Sequence, residues 1–124
     1  MSLKISSVER RSGVFLVTPV GRIDSETAPQ FEKQMDYLLE ASPSEVVFDM
    51  AGVDYLSSAG VRVFFKTRKN VGSRDGTTAL LNLQPTVKKV FEIINALPDL
   101  RIFESIAELD AYLDKMQRAV KEQE

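Results

Sequence analysis

The spacing of apolar residues changes several times along the 124-residue chain. Residues 3–8 alternate partly between apolar and polar side chains, and residues 14–20 form a more continuous run of β-forming residues. The polar segment between them, residues 10–13, is short and ends in glycine. Two strands joined by so short a loop predict an antiparallel hairpin, placed at the edge of a sheet.

From residue 28 to residue 41 the spacing becomes helical, with apolar residues three and four positions apart. Ser25 or Thr27 is the predicted N-cap of this helix. Pro29 suits the first helical turn, because a backbone N–H at that position has no partner within the helix. The pattern therefore predicts a helix directly after the hairpin.

Strands and helices alternate along the rest of the sequence. The β-forming runs are residues 45–50 and 77–83, with a short strand predicted near residues 100–103 and a loop at residues 51–58. The remaining helices are predicted to follow the loop, to open at Pro85, and to open after a Ser105 cap with an apolar face of Ile106, Leu109, Leu113, Met116 and Val120. Strands that alternate with helices pair in parallel, and the helices pack on the sheet.

These elements predict a small α/β fold with one mixed β-sheet, formed by the N-terminal antiparallel hairpin and then by parallel βα units. About four helices should pack on that sheet. A chain of this length suits one domain, so residues 1–124 are predicted to form a single domain. Residues 117–124 have little to bury and are expected to fray.

The composition excludes several kinds of catalytic site, metal site and binding partner. No histidine or cysteine is present, which excludes a Ser-His-Asp triad, a thiolate nucleophile and a Cys- or His-type metal site. The 16 basic and 18 acidic residues give a net charge of −2, too small to favour a general binder of nucleic acid or membrane surfaces. The sequence shows neither a secretory leader nor a run of about 18 apolar residues. We therefore expect a soluble, cytoplasmic protein without membrane insertion.

The run Ser57-Ser58-Ala59-Gly60 stands where the predicted loop enters the second helix. A serine at this place can simply cap the helix, by accepting a hydrogen bond from a backbone N–H two or three residues on. A helix N-terminus also carries about half a positive charge, so a phosphoryl group on a serine is accommodated there. Gly60 favours this second interpretation, because its missing side chain lets another molecule's backbone approach. The residues alone leave both interpretations open.

The segment from Asp49 to Arg62, DMAGVDYLSSAGVR, resembles the signature of STAS domains, specifically that of bacterial anti-sigma factor antagonists. The resemblance extends over nearly the whole chain and includes Gly21-Arg22-Ile23-Asp24, ahead of the first helix. It implies a STAS-like fold and a regulatory binding module. It does not imply an enzyme, and it implies no cofactor and no metal.

What the resemblance implies is partner switching. Such an antagonist, while unphosphorylated, binds an anti-sigma factor with serine kinase activity, and the sigma factor is released. The kinase inactivates the antagonist by phosphorylating the serine just before the small residue and Gly60, which is Ser58, with Ser57 as the second choice. A metal-dependent serine/threonine phosphatase restores it. Ser57 stands where many members have Asp, and Ala59 stands where they have a hydroxyl residue.

The resemblance also implies a partner surface around the modified serine. Asp24 matches a family position on that surface. Arg62 lies one turn into the helix after Ser58, where it pairs with a partner carboxylate or stays hydrated. The predicted partner-binding residues are Asp24, Tyr55, Leu56, Ser57, Ala59, Gly60, Val61 and Arg62.

Other functions have weaker support in the sequence. Asp24, Asp49 and Asp54 could be carboxylates for acid–base work or for Mg²⁺, although Asp49 lies at a strand end, where a carboxylate often fixes backbone amides. Lys66, Arg68 and Lys69 form a basic cluster that lacks interleaved aromatic residues, so a solvated helix face is the preferred interpretation over nucleic-acid binding. The alternative within the family is a non-switching STAS subunit of a stressosome-like or phospholipid-transport assembly.

Overall fold

The structure, a computed structural model, describes residues 3–96 and 103–123. Its first two strands, β1 (Lys4–Arg11) and β2 (Val14–Ile23), pair antiparallel with Lys4 opposite Val20. Gly13 lies in the turn with a φ of +80°, a conformation that glycine adopts without strain. The predicted hairpin is therefore confirmed, and β1 forms one edge of the sheet.

Helices and strands follow in turn. They are α1 (Ala28–Leu39), β3 (Glu45–Asp49), β4 (Val53–Leu56), α2 (Ser58–Gly72), β5 (Thr77–Leu81), α3 (Pro85–Ala96) and α4 (Ile106–Glu122). β3 pairs in parallel with both β2 and β5, which gives the strand order β1-β2-β3-β5. The predicted mixed sheet with parallel βα units is confirmed. Among the described helices, none is long and apolar enough to cross a membrane.

β4 lies within residues 51–58, which the sequence predicts to be a loop. The strand pairs in parallel with the end of β2, where Leu56 lies opposite Ile23. The loop prediction was wrong because a strand of four residues is too short to show a period of its own. Pairing with β2, which is distant in sequence, is what makes the segment extended.

Four phenylalanines join the sheet to its helices. The ring centre of Phe48 in β3 lies 6.1 Å from that of Phe31 in α1 and 4.8 Å from that of Phe64 in α2. Phe91 of α3 extends the cluster, with its ring centre 5.7 Å from that of Phe64. Edge-to-face pairs of this kind add about 0.5–1.5 kcal/mol each beyond the burial of area. The cluster fixes α2 against the sheet, and with it the position of the N-terminus of α2.

α4 differs from its prediction in two respects. Ser105 does cap the helix, since its Oγ accepts a hydrogen bond from the backbone N of Glu108 at 3.1 Å. However, Ile106 is 60% exposed, because it lies in the first turn, ahead of the buried stripe that includes Leu109 and Leu113. The helix also continues to Glu122, and Gln117 is buried, so the prediction of a frayed tail from residue 117 was wrong. The strand predicted near residues 100–103 falls mostly outside the described residues.

Candidate functional site

The two adjacent serines have different places at the start of α2. Ser57 is the N-cap: its backbone is extended, with φ −93° and ψ 171°, and its Oγ accepts a hydrogen bond from the backbone N of Gly60 at 3.3 Å. Only 4% of Ser57 is exposed. Ser58 is the first helical residue and is half-buried, and no hydrogen bond joins its Oγ to another of the described residues. The capping role and the more exposed side chain therefore belong to different serines.

Gly60 allows the first turn of α2 to lie against the strand ends. A Cβ atom at this position would come within 2.6 Å of the Ile23 side chain in β2 and within 2.6 Å of the Leu56 side chain in β4. The sequence interpretation gave this space to another molecule's backbone. The structure corrects it, because the protein's own core fills the space.

The end of β2 meets the start of α2 directly. The backbone N of Ser57 donates to the carbonyl oxygen of Ile23 at 2.9 Å. Asp24 follows Ile23, so this hydrogen bond places the backbone of Asp24 near that of Ser57. The structure thus brings together two motifs that are more than 30 residues apart in the sequence.

Asp24 is held by the turn that leads into α1. Its Oδ1 accepts hydrogen bonds from the backbone N of Glu26 at 2.9 Å and of Thr27 at 3.0 Å, while its Oδ2 accepts from Arg22 Nε at 3.1 Å. Burial alone would raise the pKa of Asp24, but the hydrogen bonds from Thr27, Glu26 and Arg22 outweigh it and lower this pKa. Thr27 occupies the N-cap position of α1 as predicted, but its side chain makes no capping bond. The Asp24 carboxylate satisfies these amides instead.

Arg22 links Asp24 to Tyr55. The guanidinium carbon of Arg22 lies 3.5 Å from the centre of the Tyr55 ring, which is a cation–π contact. Burial raises the pKa of Tyr55, and the charge of Asp114 and a hydrogen bond to it act in the same direction. Asp114 itself is paired with Arg118, and that hydrogen bond lowers the pKa of Asp114. Alternating positive and negative groups therefore line this part of the surface.

α4 holds the segment that leads into α2. The side chain of Gln117 accepts a hydrogen bond from the backbone N of Leu56 and donates one to the Leu56 carbonyl oxygen, both at 2.9 Å. The Oδ1 of Asp110 accepts from the backbone N of Ser58, also at 2.9 Å. Asp110, Asp114 and Gln117 are spaced by four and three residues, so they share one face of α4. Sequence analysis missed this face, because nothing local to α4 indicates its partner.

The predicted partner-binding residues divide by exposure. Those beneath the surface are Leu56, Ser57, Gly60 and Val61. Those that reach solvent are Asp24, Tyr55, Ala59 and Arg62, together with Ser58 and with Arg22, which the sequence analysis did not assign. We call this second set the α2 N-terminal patch. The buried residues have no surface to offer a partner in this conformation, and they serve to position the patch.

Two of the remaining candidates, Asp49 and Lys66, have local structural roles. Asp49 Oδ1 accepts hydrogen bonds from Asn82 Nδ2 and from the backbone N of Ala51, both at 3.1 Å. Lys66 forms salt bridges with Glu32 at 3.1 Å and Asp36 at 2.8 Å, which join α2 to α1. Within residues 3–96 and 103–123, no group of three or more acidic side chains is arranged to hold a metal ion.

The family profile described as "STAS domain" matches residues 6–109 of this chain. Among curated proteins, a Bordetella bronchiseptica protein provisionally named anti-sigma factor antagonist BtrV is 31% identical over 87 residues. That alignment covers 70% of this chain and 75% of the relative. The family profile thus matches the chain from within β1 to the first turn of α4 and includes the whole α2 N-terminal patch.

Two solved structures show the same fold. An anti-sigma factor antagonist from Mycobacterium paratuberculosis has a TM-score of 0.68 at 22% identity, covering 97% of this chain and 95% of its own. The anti-sigma factor antagonist SpoIIAA in its unphosphorylated form has a TM-score of 0.66 at 19% identity, covering 74% of this chain and 81% of its own. With the family profile matched over most of its length, the chain belongs to the STAS domain family, among the anti-sigma factor antagonists.

Proposed function

We propose that this protein is a phosphorylation-controlled anti-sigma factor antagonist. In its unphosphorylated form it binds an anti-sigma factor that has serine kinase activity, and the sigma factor held by that partner is released. Phosphorylation of Ser58 ends the binding. The observation that carries the proposal is the different placement of the two serines at the start of α2: buried Ser57 caps the helix, whereas Ser58 is half-buried and its hydroxyl forms no hydrogen bond with another described residue.

Ser58 fits the requirements of a kinase substrate better than Ser57. Its Oγ attacks the γ-phosphorus of ATP, the bond from that phosphorus to the β–γ bridging oxygen breaks, and ADP leaves. The hydroxyl proton passes to a base on the kinase, which supplies the catalytic groups. Ser57 would have to break its hydrogen bond to the Gly60 backbone and move out of the core before it could react.

The α2 N-terminal patch is suited to a charge-based switch. Phosphorylation adds about −1.5 to −2 charges at neutral pH to a half-buried residue. The added charge would lie beside Asp110, whose carboxylate accepts a hydrogen bond from the backbone N of Ser58. A partner that covers this patch would have to bury the phosphate and desolvate it, which costs far more than burying a hydroxyl group.

Reversal needs only hydrolysis. A metal-dependent serine/threonine phosphatase would add water across the phosphorus–oxygen bond, releasing inorganic phosphate and restoring the Ser58 hydroxyl. Because Ser58 is the first residue of α2, the phosphate can be added and removed without unfolding the helix. The backbone conformation needed for binding is therefore kept through the cycle.

The test uses the cognate anti-sigma factor kinase with ATP, followed by mass spectrometry of the modified chain. We expect phosphate on Ser58 in the wild type and in Ser57→Ala, and none in Ser58→Ala, which should stay bound to the kinase in a pull-down. Ser58→Asp should weaken that binding. Phosphate found only on Ser57 would reassign the site. Stable binding of the kinase without any phosphorylation would favour the non-switching STAS subunit instead.

A further inference from the structure

The hydrogen bond between Asp110 and Ser58 joins α4 to the residue proposed to carry phosphate. Asp110 Oδ1 lies 2.9 Å from the backbone N of Ser58, so a side chain of α4 occupies one of the free amides at the start of α2. A phosphoryl group on Ser58 would accept hydrogen bonds from the same backbone amides, because they are the donors that a helix N-terminus offers to an anion. Asp110 and the phosphate would therefore compete for one place.

We propose that phosphorylation of Ser58 displaces Asp110 and loosens the N-terminal half of α4 from the start of α2. This inference rests on the proposed function in one respect, namely that Ser58 is the modified residue. The effect of phosphorylation then extends from Ser58 into α4, in addition to the change of charge at the α2 N-terminal patch. The rest of the fold is unchanged.

The larger charge of the phosphate favours it over Asp110 in this competition. The phosphate brings close to two negative charges and three acceptor oxygens, whereas Asp110 brings one charge and is held from a separate helix. The two anions also repel each other across a short distance. Arg62 lies one helical turn after Ser58, at a spacing of four residues, where its guanidinium can pair with the phosphate.

The release is limited to one half of α4. Leu113 is fully buried in the core, and Gln117 remains bound to both backbone groups of Leu56. These contacts hold the helix from about residue 113 onward, independently of Asp110, whereas the N-terminal half keeps buried Leu109 as its anchor in the core when Asp110 is displaced. We therefore expect loosening in residues 105–112 and not in residues 113–122.

The experiment needs no kinase, because phosphoserine is installed at position 58 of the full chain by amber suppression. Hydrogen exchange of the backbone amides is then followed by mass spectrometry in wild-type and Asp110→Ala chains, each with serine or phosphoserine. In the wild-type background, phosphoserine should speed exchange in residues 105–112 by about tenfold, as expected for the loss of one charged hydrogen bond. Asp110→Ala should show the faster exchange already, and phosphoserine should add little to it.

Glu122→Gln is the matched control, because it removes one carboxylate from the exposed last turn of the same helix and should leave the response to phosphoserine intact. The inference is overturned if phosphoserine leaves exchange in residues 105–112 unchanged, or if it speeds exchange equally in wild type and Asp110→Ala. That result would leave the proposed function standing. Conversely, failure of the kinase to modify Ser58 would refute the proposed function while the coupling measured with installed phosphoserine still holds.

Discussion

The side-chain amide of Gln117 forms two hydrogen bonds with the backbone of Leu56: its Oε1 accepts from the Leu56 N–H and its Nε2 donates to the Leu56 carbonyl oxygen, each 2.9 Å long. A glutamine from a helix thus takes the place that a further strand would take beside β4. Leu56 is fully buried, so without this pairing its backbone N–H and carbonyl groups would lack hydrogen-bond partners, which would destabilise the strand next to Ser58. The attachment of α4 is therefore part of the site and not only part of the fold.

Replacing Gln117 should be costly for that reason. Gln117→Leu keeps the volume but leaves the N–H and carbonyl groups of Leu56 without partners, so the free energy of unfolding should fall by about 2 kcal/mol. Urea denaturation measures the change. Gln123→Leu, at the exposed C-terminal end of α4, is the control and should stay within about 0.5 kcal/mol of the wild type. Equal effects of the two substitutions would contradict this role of Gln117.

The two ends of α2 should respond in opposite ways to alanine. Gly60→Ala places a methyl group within 2.6 Å of Ile23 and Leu56, so it should destabilise the fold by about 1–3 kcal/mol. Gly72→Ala meets no atom within 4 Å and should stabilise it by up to about 1 kcal/mol, because alanine favours helix. Thermal melting of the two variants compares them directly. A tolerated Gly60→Ala would mean that the strand ends and α2 are less tightly packed than described.

Alanine substitutions of the two serines should have different effects on the free energy of unfolding. Ser57→Ala removes the cap of α2 and should lower the free energy of unfolding by about 1 kcal/mol. Ser58→Ala removes a hydroxyl group without a described partner and should change stability by less than about 0.5 kcal/mol. Chemical denaturation tests this without any partner protein. The reverse order of the two effects would show that Ser58 is the capping residue.

Asp24 should contribute a pH-dependent part of the stability. Its pKa in the folded state is lowered, so the contribution is fully present above the unfolded pKa, about 3.9, and is lost as the pH falls through the folded-state pKa. Asp24→Asn should therefore destabilise the protein at pH 7 and have a smaller effect below about pH 4. Denaturation curves of both chains between pH 7 and pH 3 give the comparison. A difference that is constant with pH would contradict the role assigned to the ionised carboxylate.

Local patterns predicted most of the fold. The period-two and helical spacings predicted the hairpin and the helices, because each element buries one face of its own sequence. β4 escaped prediction since it has only four residues and becomes a strand through pairing with β2. The motif around Ser57 and Ser58 indicated the start of α2 as the candidate site, but its residues alone did not separate the capping serine from the more exposed one. That distinction depends on which side chain the core covers.

The contribution of α4 to the site could be predicted only in part. Gln117 continues the stripe of Leu109 and Leu113 at a spacing of four, so periodicity alone could have indicated a buried polar residue there. Its partner is 61 residues away in the sequence, and the partner of Asp110 is 52 residues away. Contacts over such separations follow from the packing of whole elements, which single-sequence patterns do not specify.

Because α4 is far from Leu56 and Ser58 in the sequence, its contacts with them form late in translation. When Leu56 and Ser58 leave the ribosome, the residues that fasten them have yet to be synthesised, so the backbone around the serine is open to water. A nascent chain halted before residue 110 would display the complete signature motif without the helix that holds it in place. The hydrogen bonds from Asp110 and Gln117 can form only after residue 117 has been synthesised, so the geometry described around Ser57 and Ser58 is completed late in translation.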